Sequence, residues 1–386
     1  MAIPLSYNLR NLVVRRTTTL MTALGIALTV AVLLAVLALV NGLRVTLKTS
    51  GDPRHVLVMR KGGTSELTSL VTREQFQDLK FKPGIATGSD GQPLASLELI
   101  TLISLEAEGS DTGDNVTIRG VMPAGIAMRH NVRLIAGRWF RQGVNEAVVG
   151  KSLSDQYPAA RLGRKLRMGR SDWEIVGVMD AAGGAQQSEI WGDVNQVAAD
   201  WNRVLYMSSA LVEAPDAATA KALVNSIGDD TRLDLGAQLE TDYFALQTQS
   251  AEPIEFTGIF VAIIMAVGSS FAAMNTMYAA VSRRAKEIGT LRVLGFSKLS
   301  ILTSFWIESV LLAGLGGVIG GLLVLLVNGK STSIGANFSQ LTFAFHITPG
   351  SMVAGIVFAV ALGSVGGLFP AAAAARKEIL SALREI

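Results

Sequence analysis

The chain has 386 residues, 49% of them hydrophobic, with 39 glycines, no cysteine and a formal net charge of +3. These values exclude a disulfide framework, a zinc–cysteine site, a redox thiol and a lipid-modified N-terminal cysteine, and so small a positive charge gives no footprint for nucleic acid. A positive mean hydropathy over this length leaves room for several membrane helices and a substantial water-exposed domain.

Residues 1–19 form an N-terminal segment, expected in the cytoplasm, that carries Arg10, Arg15 and Arg16. The first apolar run, 20–40, holds 21 residues without a charge. At about 1.5 Å per residue, roughly 20 residues cross the hydrocarbon layer, so a first transmembrane helix is predicted over 20–42. The run exceeds the roughly 7–15 residues of a signal-peptide core and is read as a retained helix. Cleavage would leave three spans with the large domain still outside.

Residues 43–253 are polar and rich in turns. Within 52–234, short alternating runs at 55–59, 99–105, 116–121, 146–149 and 173–179 predict strands, and 72–79 and 217–227 predict helices. Trp139, Trp173, Trp191 and Trp201 are read as core or subdomain contacts, since aromatic side chains dominate buried area. The glycine-rich stretch 183–191 is either a mobile contact loop or a solvated turn beside a buried Trp191. Leu43 and Leu47 stand one helical turn apart, and Leu239, Tyr243 and Leu246 form a matching stripe. They predict helices continuing the membrane spans, packed as a stalk or serving as ordinary connectors. Pro253 is expected to mark a kink or joint at the membrane surface.

Three further apolar runs, 256–282, 309–329 and 347–375, predict transmembrane helices over 254–282, 301–328 and 347–375. They are joined by a basic loop, 283–300, and a short loop, 329–346, and end in a tail, 376–386. Positive residues near helix ends are retained in the cytoplasm. Arg283, Arg284, Lys286, Arg292 and Lys298 follow the second run and Arg376, Lys377 and Arg384 the fourth, whereas 329–346 carries only Lys330. Both termini and the basic loop are therefore expected in the cytoplasm and 43–253 outside. Arg44, Lys48 and Arg54 lie on the opposite side, but a long domain translocates largely regardless of such charges. The expected fold is an α-helical membrane protein with four transmembrane helices and a large α/β extracytoplasmic domain inserted between helices 1 and 2.

In the basic loop, Ile288, Leu291 and Leu294 recur at three-residue intervals before Gly295. That spacing predicts a short amphipathic helix stopped by glycine, either a surface anchor or a docking element. Glu308 falls inside the segment 301–328, where a carboxylate must be paired, face protein or lie near the interface. A structural pairing with a loop arginine such as Arg284 is favoured over a proton-linked role. Gly316 with Gly320, Gly317 with Gly321, and Gly363 with Gly367 have the spacing that permits close helix approach, within one bundle or between two copies. His55, His130 and His346 show no metal-ligand pattern, and no nucleophile–base arrangement stands out. Gly329, Lys330 and Ser331 mimic the end of a phosphate-binding loop, but Val324 stands where its first glycine belongs. The chain is expected not to be an enzyme.

Several of these segments resemble one family. Asn275, Thr276 and Met277, the run from Arg284 to Gly295, and Glu308 with Ser309 resemble the signature of the MacB/FtsX-type ABC transporter permeases. Pro370, the alanines to Ala375, Arg376, and Ala382, Leu383 and Arg384 resemble that family's ending. Arg119-Gly120-Val121, Gly137-Arg138-Trp139, Glu146 to Gly150, Leu162-Gly163 and Ile175 to Val178 are similar to its periplasmic core domain. One departure is Lys377-Glu378-Ile379-Leu380, where family endings commonly hold a proline, so the fourth helix could continue into the cytoplasm.

The resemblance implies a multi-pass protein of the bacterial inner membrane that works with a second permease copy, as a homodimer or as one of a pair of different permeases. A separate ABC ATPase is expected to dock on Arg284, Glu287, Ile288, Leu291, Leu294 and Gly295. ATP and Mg are expected in that partner and no cofactor in this chain, with a periplasmic adaptor as a further partner. Transmission of ATPase motion to the extracytoplasmic domain, for export or extraction of cargo, is the expected function. A mechanotransmitting regulator that activates an external enzyme or signalling partner is the alternative, and a membrane-anchored binding protein without an ATPase a third. The extent of 52–234 resembles exporter-type members more than cell-division members.

Overall fold

The computed structural model describes residues 10, 14, 16–106, 113–249, 252–336 and 339–376. Arg15 and the tail residues 377–386, including Lys377, Glu378, Ile379, Leu380 and Arg384, lie outside the described residues. The chain divides into two units, one of Met1–Asn41, Glu252–Lys330 and Phe345–Ile386 and the other of Gly42–Ala251 and Ser331–Ala344.

The second unit is α/β. Its described strands are β1 (His55–Arg60), β2 (Val71–Thr72), β3 (Ala95–Glu106), β4 (Gly113–Val121), β5 (Arg133–Gly137), β6 (Glu146–Gly150) and β7 (Lys165–Met168). There follow β8 (Ser171–Asp180), β9 (Glu189–Asp193), β10 (Tyr206–Met207), β11 (Ser209–Glu213), β12 (Leu235–Leu239), β13 (Ser331–Ala336) and β14 (Ser339–Ala344). One ten-stranded sheet runs in the order β12-β1-β11-β3-β4-β9-β6-β8-β5, with β7 on β8, while β2–β10 and β13–β14 form separate pairs. The pairings β4–β9 and β6–β8 are parallel. β3 bridges the halves: Ser96 pairs with Leu211 of β11, and from Leu99 onward its partner is β4. Its first seven residues are all buried, as expected of a strand covered on both faces.

Helices cover the sheet where apolar residues recur at helical spacing. Arg73–Leu79 inserts Phe76 and Leu79 into the main core, and Ala217–Gly228 inserts Ala220, Leu223 and Ile227. Each of these side chains larger than alanine contributes roughly 1.5–3 kcal/mol on burial. The starts are chemically specified. Thr72 accepts from Gln75 N at 3.1 Å while the Gln75 side chain accepts from Thr72 N at 2.8 Å, a reciprocal capping box. Asp216 accepts from Ala218 N and Thr219 N at 2.9 and 2.8 Å. Trp173 and Trp191 are fully buried, and Trp139 stacks on Trp191 with centroids 6.2 Å apart. Trp191 lies within β9, so stretch 183–191 is a turn feeding a buried strand. Leu43, Leu47 and Tyr243 are buried, but Leu239 ends β12 and Leu246 is exposed. The stripe predicted across those last three residues therefore does not form one helical face. The stretch between the third and fourth apolar runs, read as a plain loop, contains the β13–β14 hairpin.

The other unit is built from long helices. Four helices among the described residues are long and apolar enough to cross a membrane. They are Arg16–Ser50, whose residues from Gly42 belong to the α/β unit, Glu252–Arg283, Lys298–Leu325 and Pro349–Arg376. The third starts earlier than its uncharged run because Ser297, extended at φ −70° and ψ 158°, caps it by accepting from Ser300 N at 3.1 Å. Pro253 lies in the first turn of its helix, where a missing N–H costs nothing. Pro370 lies inside the fourth helix, where it leaves the carbonyl of Gly366 without its helical donor.

Candidate functional site

In the helical unit the basic loop folds as the helix Ala285–Val293, with Leu294 as C-cap. Gly295 takes φ +91°, and Gly295 N donates to Arg292 O and Phe296 N to Leu291 O. These two bonds close the helix as a Schellman motif, which a glycine in the left-handed region makes cheap. One face is turned inward: Ala285, Ile288 and Gly289 are buried, and Ile288 packs with Met277, Val281, Ile301, Phe305, Ala371 and Ala374. Lys286, Glu287 and Thr290 face outward, Leu291 is half-buried, and Val293, Leu294 and Leu299 are 63%, 66% and 68% exposed. Ile288, expected on the docking face with Leu291 and Leu294, is thus an anchor. The 3.6-residue turn carries it to the opposite side from Val293.

Arg284, at the break before this helix, is 1% exposed, and its Nη1 donates to Glu308 Oε2 at 2.8 Å. Its guanidinium lies 5.3 Å from the Phe305 ring centroid, and Nε is 3.4 Å from Glu287 Oε2. A cavity of about 40 Å³ flanks Glu308, lined also by Thr19, Thr22, Thr276 and Ser309. Thr22 Oγ1 donates to Thr276 Oγ1 at 3.2 Å, and Ser309 Oγ to Gly363 O at 2.8 Å. Arg284 and Glu308 therefore tie the short helix to the third long one.

The six glycines singled out by spacing are buried within this one chain. A Cβ at Gly316 would meet Ala23 O at 2.8 Å, at Gly317 the Ala359 Cβ at 2.8 Å, and at Gly320 the Ala27 O at 2.6 Å. One at Gly321 would meet Met352 Cε at 2.7 Å, while Gly363 is closed by Ala313 and Gly367 by Ser309.

In the α/β unit the sequence motifs lead to buried ion pairs. Arg119 of β4 donates through Nη1 to Glu98 Oε2 at 2.7 Å and to Glu66 Oε1 at 3.1 Å, and through Nε and Nη2 to Glu189 at 2.9 and 2.8 Å. Arg129 holds both oxygens of Glu98 at 2.7 and 2.8 Å, and Trp191 Nε1 donates to Glu189 at 2.7 Å. Burial alone pushes the Glu98 carboxyl up, but Arg129 and Arg119 outweigh it and hold it at about 2. Burial opposes the charged form of Glu189 as well, and Arg119 with Trp191 keeps it below the ordinary range. Arg138 and Arg141 converge on buried Glu146 at 2.6 Å each, and their hydrogen bonds hold it well below the usual carboxylate range.

Of these groups only Arg119, Arg138 and Glu146 fell inside the family-like motifs. Glu66, Glu98, Arg129 and Glu189 did not, although Glu98 carried a signal, a single charge among Ala95, Leu97, Leu99 and Ile100. Among the described residues no group of three or more histidine, aspartate and glutamate side chains is arranged to hold a metal ion.

Two family descriptions match the chain: MacB-like periplasmic core domain over residues 19–229 and FtsX-like permease C-terminal over residues 259–379. A macrolide export ATP-binding/permease protein MacB from Vibrio parahaemolyticus is 24% identical over 365 residues, covering 85% of this chain and 54% of that protein. A protein of the same name from Bordetella avium is 31% identical over 189 residues, covering 46% of this chain and 27% of that one. The chain spans about half the length, or less, of the curated relatives it matches. The crystal structure of the periplasmic region of MacB from Actinobacillus actinomycetemcomitans aligns with a TM-score of 0.38 at 13% identity, covering 53% of this chain and 95% of that one. With both family descriptions falling in order along it, the chain belongs to the MacB/FtsX-type ABC transporter permeases.

Proposed function

We propose that the chain is the permease subunit of an ATP-driven transporter of the bacterial inner membrane. It crosses the membrane four times with both termini in the cytoplasm and its α/β unit outside. A separate ABC ATPase, carrying the ATP and Mg, docks on the helix Ala285–Val293 and the exposed Val293, Leu294 and Leu299 beside it. A second permease copy completes the pair, and a periplasmic adaptor engages the outer unit during export or extraction of cargo.

The supporting observation is the two-sidedness of that helix. Ile288 and Arg284 fix one face in the bundle, while Val293 and Leu294 leave the other exposed and apolar beside Lys286 and Glu287. Exposed apolar residues rimmed by charge mark contact surfaces.

The test is copurification of the full chain with its candidate ATPase, wild type against a Val293→Asp, Leu294→Asp variant, with ATP hydrolysis recorded for each. The expected result is loss of the ATPase and of stimulated hydrolysis in a variant that elutes as wild type does. An intact, stimulated complex refutes docking at this face.

A further inference from the structure

In the α/β unit a histidine stands at the place where the chain enters and leaves the sheet. His55 begins β1, five residues after the helix Arg16–Ser50 ends, and Glu240 is the first residue of the helix Glu240–Gln249 that follows β12. β1 and β12 are neighbours, with Val56 paired to Leu239. His55 Nδ1 is 2.7 Å from Glu240 Oε2, the same oxygen that accepts from Asp52 N at 3.1 Å. On its other edge, His55 Nε2 lies 3.8 Å from Glu213 Oε2 of β11. His55, Glu213 and Glu240 are all at most 4% exposed.

The hydrogen-bond inventory of this site is incomplete in one place. A carboxylate oxygen only accepts, so Nδ1 must carry the proton that it shares with Glu240. Neutral imidazole has one N–H, and Nε2 then presents a lone pair to Glu213 Oε2. Neither of those two buried atoms has a hydrogen-bond partner in the protein. Acceptor faces acceptor, an arrangement that costs free energy away from water. One proton on Nε2 turns that contact into a charge-assisted bond between an imidazolium and a carboxylate.

We propose that His55 is a proton-operated latch between the two helix roots. Proton uptake draws Glu213 of β11 onto Nε2 while Nδ1 keeps Glu240, so the entry strand, the central strand and the exit helix are locked through one ring. The surrounding charges permit this. Glu213 Oε1 already holds Arg54 Nη1 at 2.8 Å, and Arg54 is also paired with Asp52. His130 Nε2 approaches Glu213 Oε1 at 4.0 Å, and the positive charge of Arg129 acts on Glu240. The three carboxylates Asp52, Glu213 and Glu240 surround His55 against the two arginines.

Histidine is the side chain that ordinarily changes charge between about pH 5 and 8, so the latch is tested in that window. The full chain in detergent, labelled with ¹⁵N-histidine, has only three histidines to assign. The expected spectrum at high pH is a neutral His55 with its proton on Nδ1, converting to the doubly protonated ring as pH falls. Urea unfolding followed by tryptophan fluorescence is expected to show a midpoint that rises as the ring takes up the second proton seen in those spectra. That rise should vanish in His55→Gln and in Glu213→Gln, and persist in His130→Gln. A His55 that stays neutral to pH 5, an Nε2–H tautomer, or an undiminished rise in Glu213→Gln would each overturn the latch. The wild-type spectra decide the matter even if His55→Gln fails to fold.

Discussion

Replacing Glu98 by glutamine removes one charge from the centre of the α/β unit while keeping the side-chain volume. Glu98 is 0% exposed and is the carboxylate that binds Arg129, through both oxygens. In Glu98→Gln, Arg119 keeps Glu66 and Glu189. Arg129 keeps one acceptor oxygen at position 98, Gly125 O at 3.0 Å and the face of Trp191 at 5.4 Å, but loses the carboxylate charge bonded to it. Breaking one side of a buried pair costs about 3–5 kcal/mol because the other charge stays in low dielectric, against a total stability of about 5–15 kcal/mol. With a urea dependence of about 2 kcal/mol per molar, the midpoint falls by roughly 1.5–2.5 M. The assay is urea unfolding of the full chain in detergent by tryptophan fluorescence, since Trp139, Trp173, Trp191 and Trp201 all lie in this unit. Glu98→Leu with Arg129→Met, which leaves no orphaned charge, should recover at least half of the loss. The same residue sets the acid limit. Its folded value of about 2 lies below the ordinary glutamate value of about 4.3, so its stabilisation is complete above the latter and disappears as pH falls toward the former. A midpoint drop under about 0.5 M, or an acid profile unchanged in Glu98→Gln, would refute the view that this carboxylate secures the cluster.

Further outcomes follow from the geometry. Arg284→Gln or Glu308→Gln should each lower the thermal midpoint of the purified chain by an amount equivalent to about 3–5 kcal/mol, whereas Arg284→Met with Glu308→Leu should lose less than either. A double variant as damaged as both singles combined would show that the two side chains act separately. Gly320→Leu places its Cβ 2.6 Å from Ala27 O, while nothing lies within 4 Å of a Cβ at Gly314. The first should therefore cost about 1–3 kcal/mol by overpacking and broaden the gel-filtration peak, and Gly314→Ala should leave it sharp; equal behaviour would contradict the packing described. Asp216→Ala removes the cap of Ala217–Gly228 and should lower the urea midpoint by the equivalent of about 1 kcal/mol, with no change meaning that water replaces the cap at no cost.

The strands at 55–60, 95–106, 113–121, 146–150 and 171–180, and the helices at 73–79 and 217–228, were legible because each carries its own period and its own turn or cap. Pairing order was not. β11 sits between β1 and β3 although about 110–150 residues separate them along the chain, and local periodicity says nothing of partners. The hairpin β13–β14 was not legible for a similar reason, as its strands lie between two apolar runs and pair with each other. Buried charge was half legible. Arg119 stood in a motif, but Glu66 and Glu189 lie 53 and 70 residues away, and only the fold brings three carboxylates around two guanidiniums. In the basic loop the periodicity located the helix and Gly295 its end, yet Ile288 and Val293 were separable only once the face packed on Phe305 and Ala371 was known.

That packed face also decides what the short helix can do. Nine residues are too few for a helix to be stable alone in water, so its order comes from the bundle, through Ile288 and through Arg284 on Glu308. Both attachments are stiff. Ile288 is 1% exposed among close-packed side chains, and separating the ion pair would strand two charges where solvation is poor. Glu308 is the eleventh residue of the helix Lys298–Leu325, so the pair grips it about 15 Å from its start. Neutralising either Arg284 or Glu308 should therefore loosen the hold of the short helix on the long one while leaving Val293 and Leu294 exposed.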